Sequence, residues 1–111
     1  MKTATGLIYE DTVVGKGKEA KMGDSVDVHY EGKLEDGTVF DASRKHGTAP
    51  FNFTIGGRVI DGWNQGVPGM KEGGSRMLTI PPDLGYGPMG SPPVIPGNAT
   101  LTFKVELIKV N

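Results

Sequence analysis

The chain has 111 residues with twelve Lys and Arg against thirteen Asp and Glu, a net charge of −1. That length folds to roughly 5,900 Å² of surface from roughly 17,100 Å² unfolded, enough burial for one core. Residues 1–111 therefore read as a single domain, with residues 1–5 a loose N-terminal tail. The absence of cysteine excludes disulfides, thiolate metal sites and a cysteine nucleophile, and fits a reducing compartment, so a cytoplasmic location is the expectation. No excess of positive charge is present to hold nucleic acid or an acidic membrane. No apolar run is long enough to span a bilayer, and Thr3-Ala4-Thr5-Gly6 lacks the apolar stretch of a leader. Two Asn-x-Thr sequons, at Asn52 and Asn98, read as chance matches.

Residues 1–24 are weakly patterned, with Leu7, Tyr9, Val13 and Val14 as edge-strand material and Lys16, Lys18 and Lys21 in a solvated loop. From Val26 the alternation sharpens. Val26, Val28 and Tyr30 share one face, and Asp27, His29 and Glu31 the other. Asp36-Gly37, between Leu34 and Val39-Phe40, signals a hairpin. Residues 42–50 are polar and read as a loop, while Phe51, Phe53 and Ile55 alternate with Asn52 and Thr54 as a strand. Ile60, Trp63, Val67 and Met70 make a helical stripe. Gly62, Gly66 and Pro68 lie inside it, so the helix is expected to be short, to end or kink before Pro68 and to be held by packing. Met77 to Ile80 form another apolar strand, and Leu101, Phe103, Val105 and Leu107 face one way along the last. Four or five mostly one-faced strands with one short helix predict an α+β fold, an antiparallel sheet with the helix on its apolar side.

Residues 81–97 hold six of the eight prolines and four of the eighteen glycines. A disordered linker would carry few apolar residues, whereas this stretch carries Leu84, Tyr86, Met89, Val94 and Ile95. It is expected to be an ordered loop presenting Tyr86, Val94 and Ile95, the other reading being a second small apolar cluster under a long connection.

Covalent, redox and metal chemistry find no support. His29 and His46 are too separated for a metal site or a triad and are expected in solvent, no Ser has a G-x-S-x-G context, and the glycine pairs match no phosphate loop. What remains is eight aromatic residues, with Phe40-Asp41 placing a carboxylate beside one of them. Packing in the core explains such residues equally well, but an apolar pocket with a few polar groups is also the usual form of a ligand site.

Five stretches, VDVHYEGKLEDGTVFDAS (26–43), PFNFTIG (50–56), VIDGW (59–63), RMLTIPPDLGYG (76–87) and VIPGNATLTFKVEL (94–107), together resemble the FKBP-type peptidyl-prolyl cis-trans isomerases. The resemblance runs from about residue 6 nearly to the C-terminus. It implies a curled antiparallel sheet of about five strands around one short helix, with a prolyl pocket between them and Trp63 as its floor. The family's pocket positions fall on Tyr30, Phe40, Asp41, Phe51, Val59, Ile60, Trp63, Tyr86, Ile95 and Phe103. Of these, the resemblance implies catalytic roles for Asp41, Tyr86, Ile60, Trp63 and Phe40. The Ile60 N–H and Tyr86 hydroxyl would donate to ligand carbonyls, and Asp41 would have an electrostatic role. The implied activity is isomerisation of X–Pro bonds during protein folding by a monomer that needs no cofactor or metal. Proline-containing peptides, unfolded proteins and macrolides of the rapamycin type are the implied partners. The alternative from another class is a proline-peptide or macrolide binding module, a chaperone with little turnover. Three departures bear on substrate preference and rate. The loop Arg44–Pro50 is one residue longer than in the commonest small form, with His46 where that form has an Arg near the Asp. Ser91 stands where some members carry a His at the loop tip, and Pro68-Gly69 breaks the helix end.

Overall fold

The alternating segments pair as strands of one antiparallel sheet in a computed structural model that describes residues 5–91 and 94–111. In chain order these are β1 (Ile8–Val13), β2 (Ser25–Lys33), β3 (Val39–Ala42) and β4 (Phe51–Thr54), then helix α1 (Asp61–Gly66), β5 (Ser75–Ile80) and β6 (Leu101–Val110). The strand order is β1-β5-β6-β2-β3, with β4 also on β2, so six strands stand where four or five are read from the pattern. The folded surface is 6219 Å².

β6 lies between β5 and β2 and alternates buried Leu101, Phe103, Val105 and Leu107 with more exposed neighbours, as its period-two pattern requires. The other edge of β2 is divided. Ser25 to Val28 pair with β4, and Glu31 to Lys33 pair with β3. His29 and Tyr30 fall at the step between them. There the backbone N–H of Tyr30 donates instead to Ser43 Oγ at 2.9 Å, so a side chain completes what the ladder leaves open. Ser43, only 3% exposed, begins a 3-10 turn over Ser43–His46 within the stretch expected to be plain loop.

Gly62 and Gly66, unfavourable in a helix by propensity, allow α1 to lie against β5. A Cβ on Gly62 would come 2.6 Å from Ile80 Cδ1, and one on Gly66 would come 2.7 Å from Leu78 Cδ2. The helix ends at Gly66, before Pro68, and Arg76 of β5 serves its last carbonyls. Arg76 Nη1 donates to Gly66 O at 2.8 Å and Pro68 O at 3.2 Å, while Nε pairs with Asp11 of β1 at 2.6 Å. One buried guanidinium thereby ties the edge strand, the sheet and the helix end together.

Candidate active site

Trp63, at the middle of α1, is 5% exposed and sits among four aromatic rings. Ring-centroid distances are 5.0 Å to Tyr30, 5.2 Å to Phe53, 5.3 Å to Phe103 and 5.9 Å to Phe51. The Tyr30, Phe51 and Phe103 contacts are edge-to-face, the arrangement favoured by ring quadrupoles. The buried indole Nε1 has no hydrogen-bond partner among the described residues.

Above this floor is a cavity of about 480 Å³, lined by Tyr30, Phe40, Asp41, Phe51, Arg58, Val59, Ile60, Trp63, Tyr86 and Phe103. That volume suits a small ligand or a short piece of peptide. The elements delivering these groups are β2, β3, β4, the segment leading into α1, α1 itself, the loop after β5, and β6. Gly32 makes room for one wall. A Cβ there would meet Phe40 Cζ at 2.6 Å and Phe103 Cε1 at 2.7 Å, the two rings that pack edge-to-face at 5.5 Å.

Nine of the ten pocket residues named from the sequence line the cavity; Ile95 does not. Ile95 is 4% exposed and forms mutual backbone hydrogen bonds with Ser91, a bridge that turns its side chain into the core. Tyr86 and Val94 from the same loop are exposed as expected. The loop is tied to itself by Gly87 N–H on Pro82 O, Gly90 N–H on Tyr86 O and Asn98 N–H on Gly87 O. His29 is also corrected. It is half-buried, with Nδ1 2.9 Å from Ser43 Oγ, because Ser43 is drawn to the step in β2 beside it. The side chain of His46 lies outside the described residues.

Two residues important to this geometry carry no signal in the sequence. Arg58, between Gly57 and Val59, reads as part of a polar turn, yet lines the cavity. Asn64 reads as a surface helix position. Its Oδ1 accepts the Gly56 N–H at 2.7 Å and its Nδ2 donates to Gly57 O at 3.2 Å, which fixes the turn leading to Arg58, Val59 and Ile60.

The polar groups are few and specific. The Tyr30 hydroxyl donates to Asp41 Oδ2 at 2.8 Å, and the Ala42 N–H donates to Asp41 Oδ1 at 2.9 Å. Burial pushes the Tyr30 phenol well above its ordinary range, and the hydrogen bond to Asp41 adds to this. Tyr86, partly covered at the cavity though its residue is exposed overall, is also raised, by that partial burial first and then by the negative charge of Asp41. Both hydroxyls thus keep their protons at neutral pH. The Tyr86 hydroxyl and the Ile60 N–H have no partner among the described residues, which leaves both as unused donors on cavity-lining residues.

A family model described as FKBP-type peptidyl-prolyl cis-trans isomerase matches residues 16–108. An FK506-binding protein of Neisseria meningitidis serogroup B is 55% identical over 106 residues, covering 95% of this chain and 96% of its own length. The peptidyl-prolyl cis-trans isomerase FKBP2 of Mus musculus is 55% identical over 93 residues, 83% of this chain and 66% of its own. The solved structure of AtFKBP13 is similar with a TM-score of 0.91 at 43% identity, over 99% of this chain and 97% of that one. With a family model matching most of the chain and close agreement with relatives in both sequence and fold, the chain belongs to the family of FKBP-type peptidyl-prolyl cis-trans isomerases.

Proposed function

We propose that the aromatic cavity over Trp63 is where this isomerase takes the proline of an X–Pro peptide and lowers the barrier to rotation of the bond. The observation that carries the reading is the pairing of a mostly apolar, aromatic cavity with two unused donors, the Ile60 N–H and the Tyr86 hydroxyl. The uncatalysed barrier is about 18–20 kcal/mol, and crossing it takes tens to hundreds of seconds. No bond is made or broken, so neither a nucleophile nor a metal is required. A rate gain of about 10⁵ asks for about 7 kcal/mol of stabilisation present in the transition state and absent in the ground state.

Two sources within the cavity act in that direction. The planar amide has the larger dipole through resonance, so removal of water disfavours it more than the twisted form. Donors at Ile60 and Tyr86 hold carbonyls on one side while the other side turns, which fixes the geometry of rotation in advance. Asp41 is already engaged by Tyr30 and the Ala42 N–H, so its part is to set the electrostatic field and hold Tyr30, not to move a proton. Macrolides of the rapamycin type are the proposed competitors for the same cavity.

The test is the cis-to-trans rate of a Leu-Pro peptide with and without the protein, repeated with a rapamycin-type macrolide. Acceleration that the macrolide abolishes is the expected result. Macrolide binding without acceleration would make the cavity a binding module, and the absence of both effects would overturn the reading.

A further inference from the structure

Arg58 and Asp41 are the two charged residues lining the cavity, and they differ in how fully they are engaged. Asp41 is held by Tyr30 and by the Ala42 N–H. Arg58 is exposed and, among the described residues, has neither an ion pair nor a side-chain hydrogen bond. Its backbone is anchored all the same. The preceding Gly56-Gly57 turn is bound at both ends by the Asn64 side chain, so the guanidinium is presented from a fixed base. A free cation with a tethered root at the mouth of a binding cavity is placed to read the charge of what enters.

We infer that Arg58 is a specificity-determining residue that favours substrates with a carboxylate immediately before or after the proline; the inference rests on the reading of the cavity as the prolyl site. Ile60, whose N–H is unused, lies two residues further along the chain, so its backbone is at most about 7 Å from that of Arg58. A peptide whose carbonyl accepts from Ile60 passes alongside Val59 towards Arg58. A Glu or Asp beside the proline then comes within reach of the guanidinium, whose planar donors match a carboxylate. A Lys at the same place would be repelled. Both partners are open to solvent, so the effect is a modest factor weakened by salt.

The experiment compares kcat/KM for acetyl-capped peptides with Leu before the proline, Glu before it, Lys before it, or Leu before and Glu after. The protein is used unsubstituted and as Arg58→Gln and Arg58→Glu, with folding of each checked by its thermal melt. For at least one Glu peptide, the Glu-to-Leu ratio should fall about threefold in Arg58→Gln, the scale of an exposed ion pair. It should fall further in Arg58→Glu, where the Lys-to-Leu ratio should rise, and added salt should shrink these differences. Ratios that do not depend on residue 58 for either position of Glu would overturn the inference and leave the isomerase reading standing. No acceleration of the Leu-Pro peptide by the unsubstituted protein would overturn both.

Discussion

The hydroxyl of Tyr30 on β2 donates to Asp41 Oδ2 on β3 across 2.8 Å, joining a ring of the cavity wall to its carboxylate. Replacing Asp41 by Ala should lower kcat/KM about tenfold or more and cost about 1 kcal/mol of stability, since the Tyr30 hydroxyl at the cavity can turn to water. Peptide isomerisation and urea titration check the two parts. Turnover equal to that of the unsubstituted protein would remove Asp41 from the mechanism.

Ser43 should matter more to stability than its small size suggests. Ser43→Ala leaves the Tyr30 N–H without an acceptor and His29 Nδ1 without its neighbour, a loss of about 1–3 kcal/mol. Urea unfolding of Ser43→Ala, with Ser43→Thr as the variant that keeps the hydroxyl, measures it. Equal midpoints for the Ala variant and the unsubstituted protein would contradict the account of the step in β2.

Helix propensity and packing disagree at Gly62 and Gly66, and packing should win. Gly→Ala in a helix gains about 1 kcal/mol by propensity. Here the new methyl group meets Ile80 or Leu78 within 3 Å, and overpacking of this kind costs about 1–3 kcal/mol. Each Ala variant should therefore melt below the unsubstituted protein, and a rise in midpoint would show that α1 can shift off β5 freely.

Stability should fall at both ends of the pH scale for identifiable reasons. Glu72 accepts the N–H groups of Val110 and Lys18, which holds its carboxyl below the ordinary 4.5. Its contribution is present above 4.5 and is lost as pH falls through the lower folded value. Tyr30 and Tyr86 are raised from 10.0, so the fold favours their neutral forms. Their contribution is whole below 10.0 and is lost as pH rises towards the folded values. Urea midpoints across the pH range should show a shallower acid limb in Glu72→Gln and a shallower alkaline limb in Tyr30→Phe.

Trp63 is the chain's one tryptophan, so its fluorescence reports on the cavity floor. A rapamycin-type macrolide should change its intensity saturably, at one equivalent. An unchanged spectrum under conditions where the macrolide blocks isomerisation would place the ligand away from Trp63.

Much of this architecture is legible from residue order, for physical reasons that differ by element. β2 and β6 announce themselves because each buries one face, and the Asp36-Gly37 turn is sharp enough to be read alone. β1 is harder, since as an edge strand it is exposed at five of six positions and shows no alternation. β3 has only four residues, too few for a period. The aromatic wall is present in the sequence as composition, but only resemblance to a family singles out which rings share a cavity. Ser43, Arg58 and Asn64 lie beyond both kinds of reading. Ser43 and Asn64 act through hydrogen bonds to backbone and side-chain groups that only the fold brings beside them, and Arg58 through its place on the cavity lining. Ile95 fails for the complementary reason, because the bridge to Ser91 turns inward a residue whose neighbours Tyr86 and Val94 face out.

The divided edge of β2 also shapes how the sheet breathes. Tyr30 depends on the Ser43 hydroxyl for its amide bond, so rotation of one side chain frees that proton to solvent without strands separating. Its amide should exchange with deuterium through a small local opening, while β6, held by a neighbour on each side, exchanges only when the whole sheet comes apart. A small opening at the step in β2 thus reaches Tyr30, a residue that lines the cavity, before any strand has to separate.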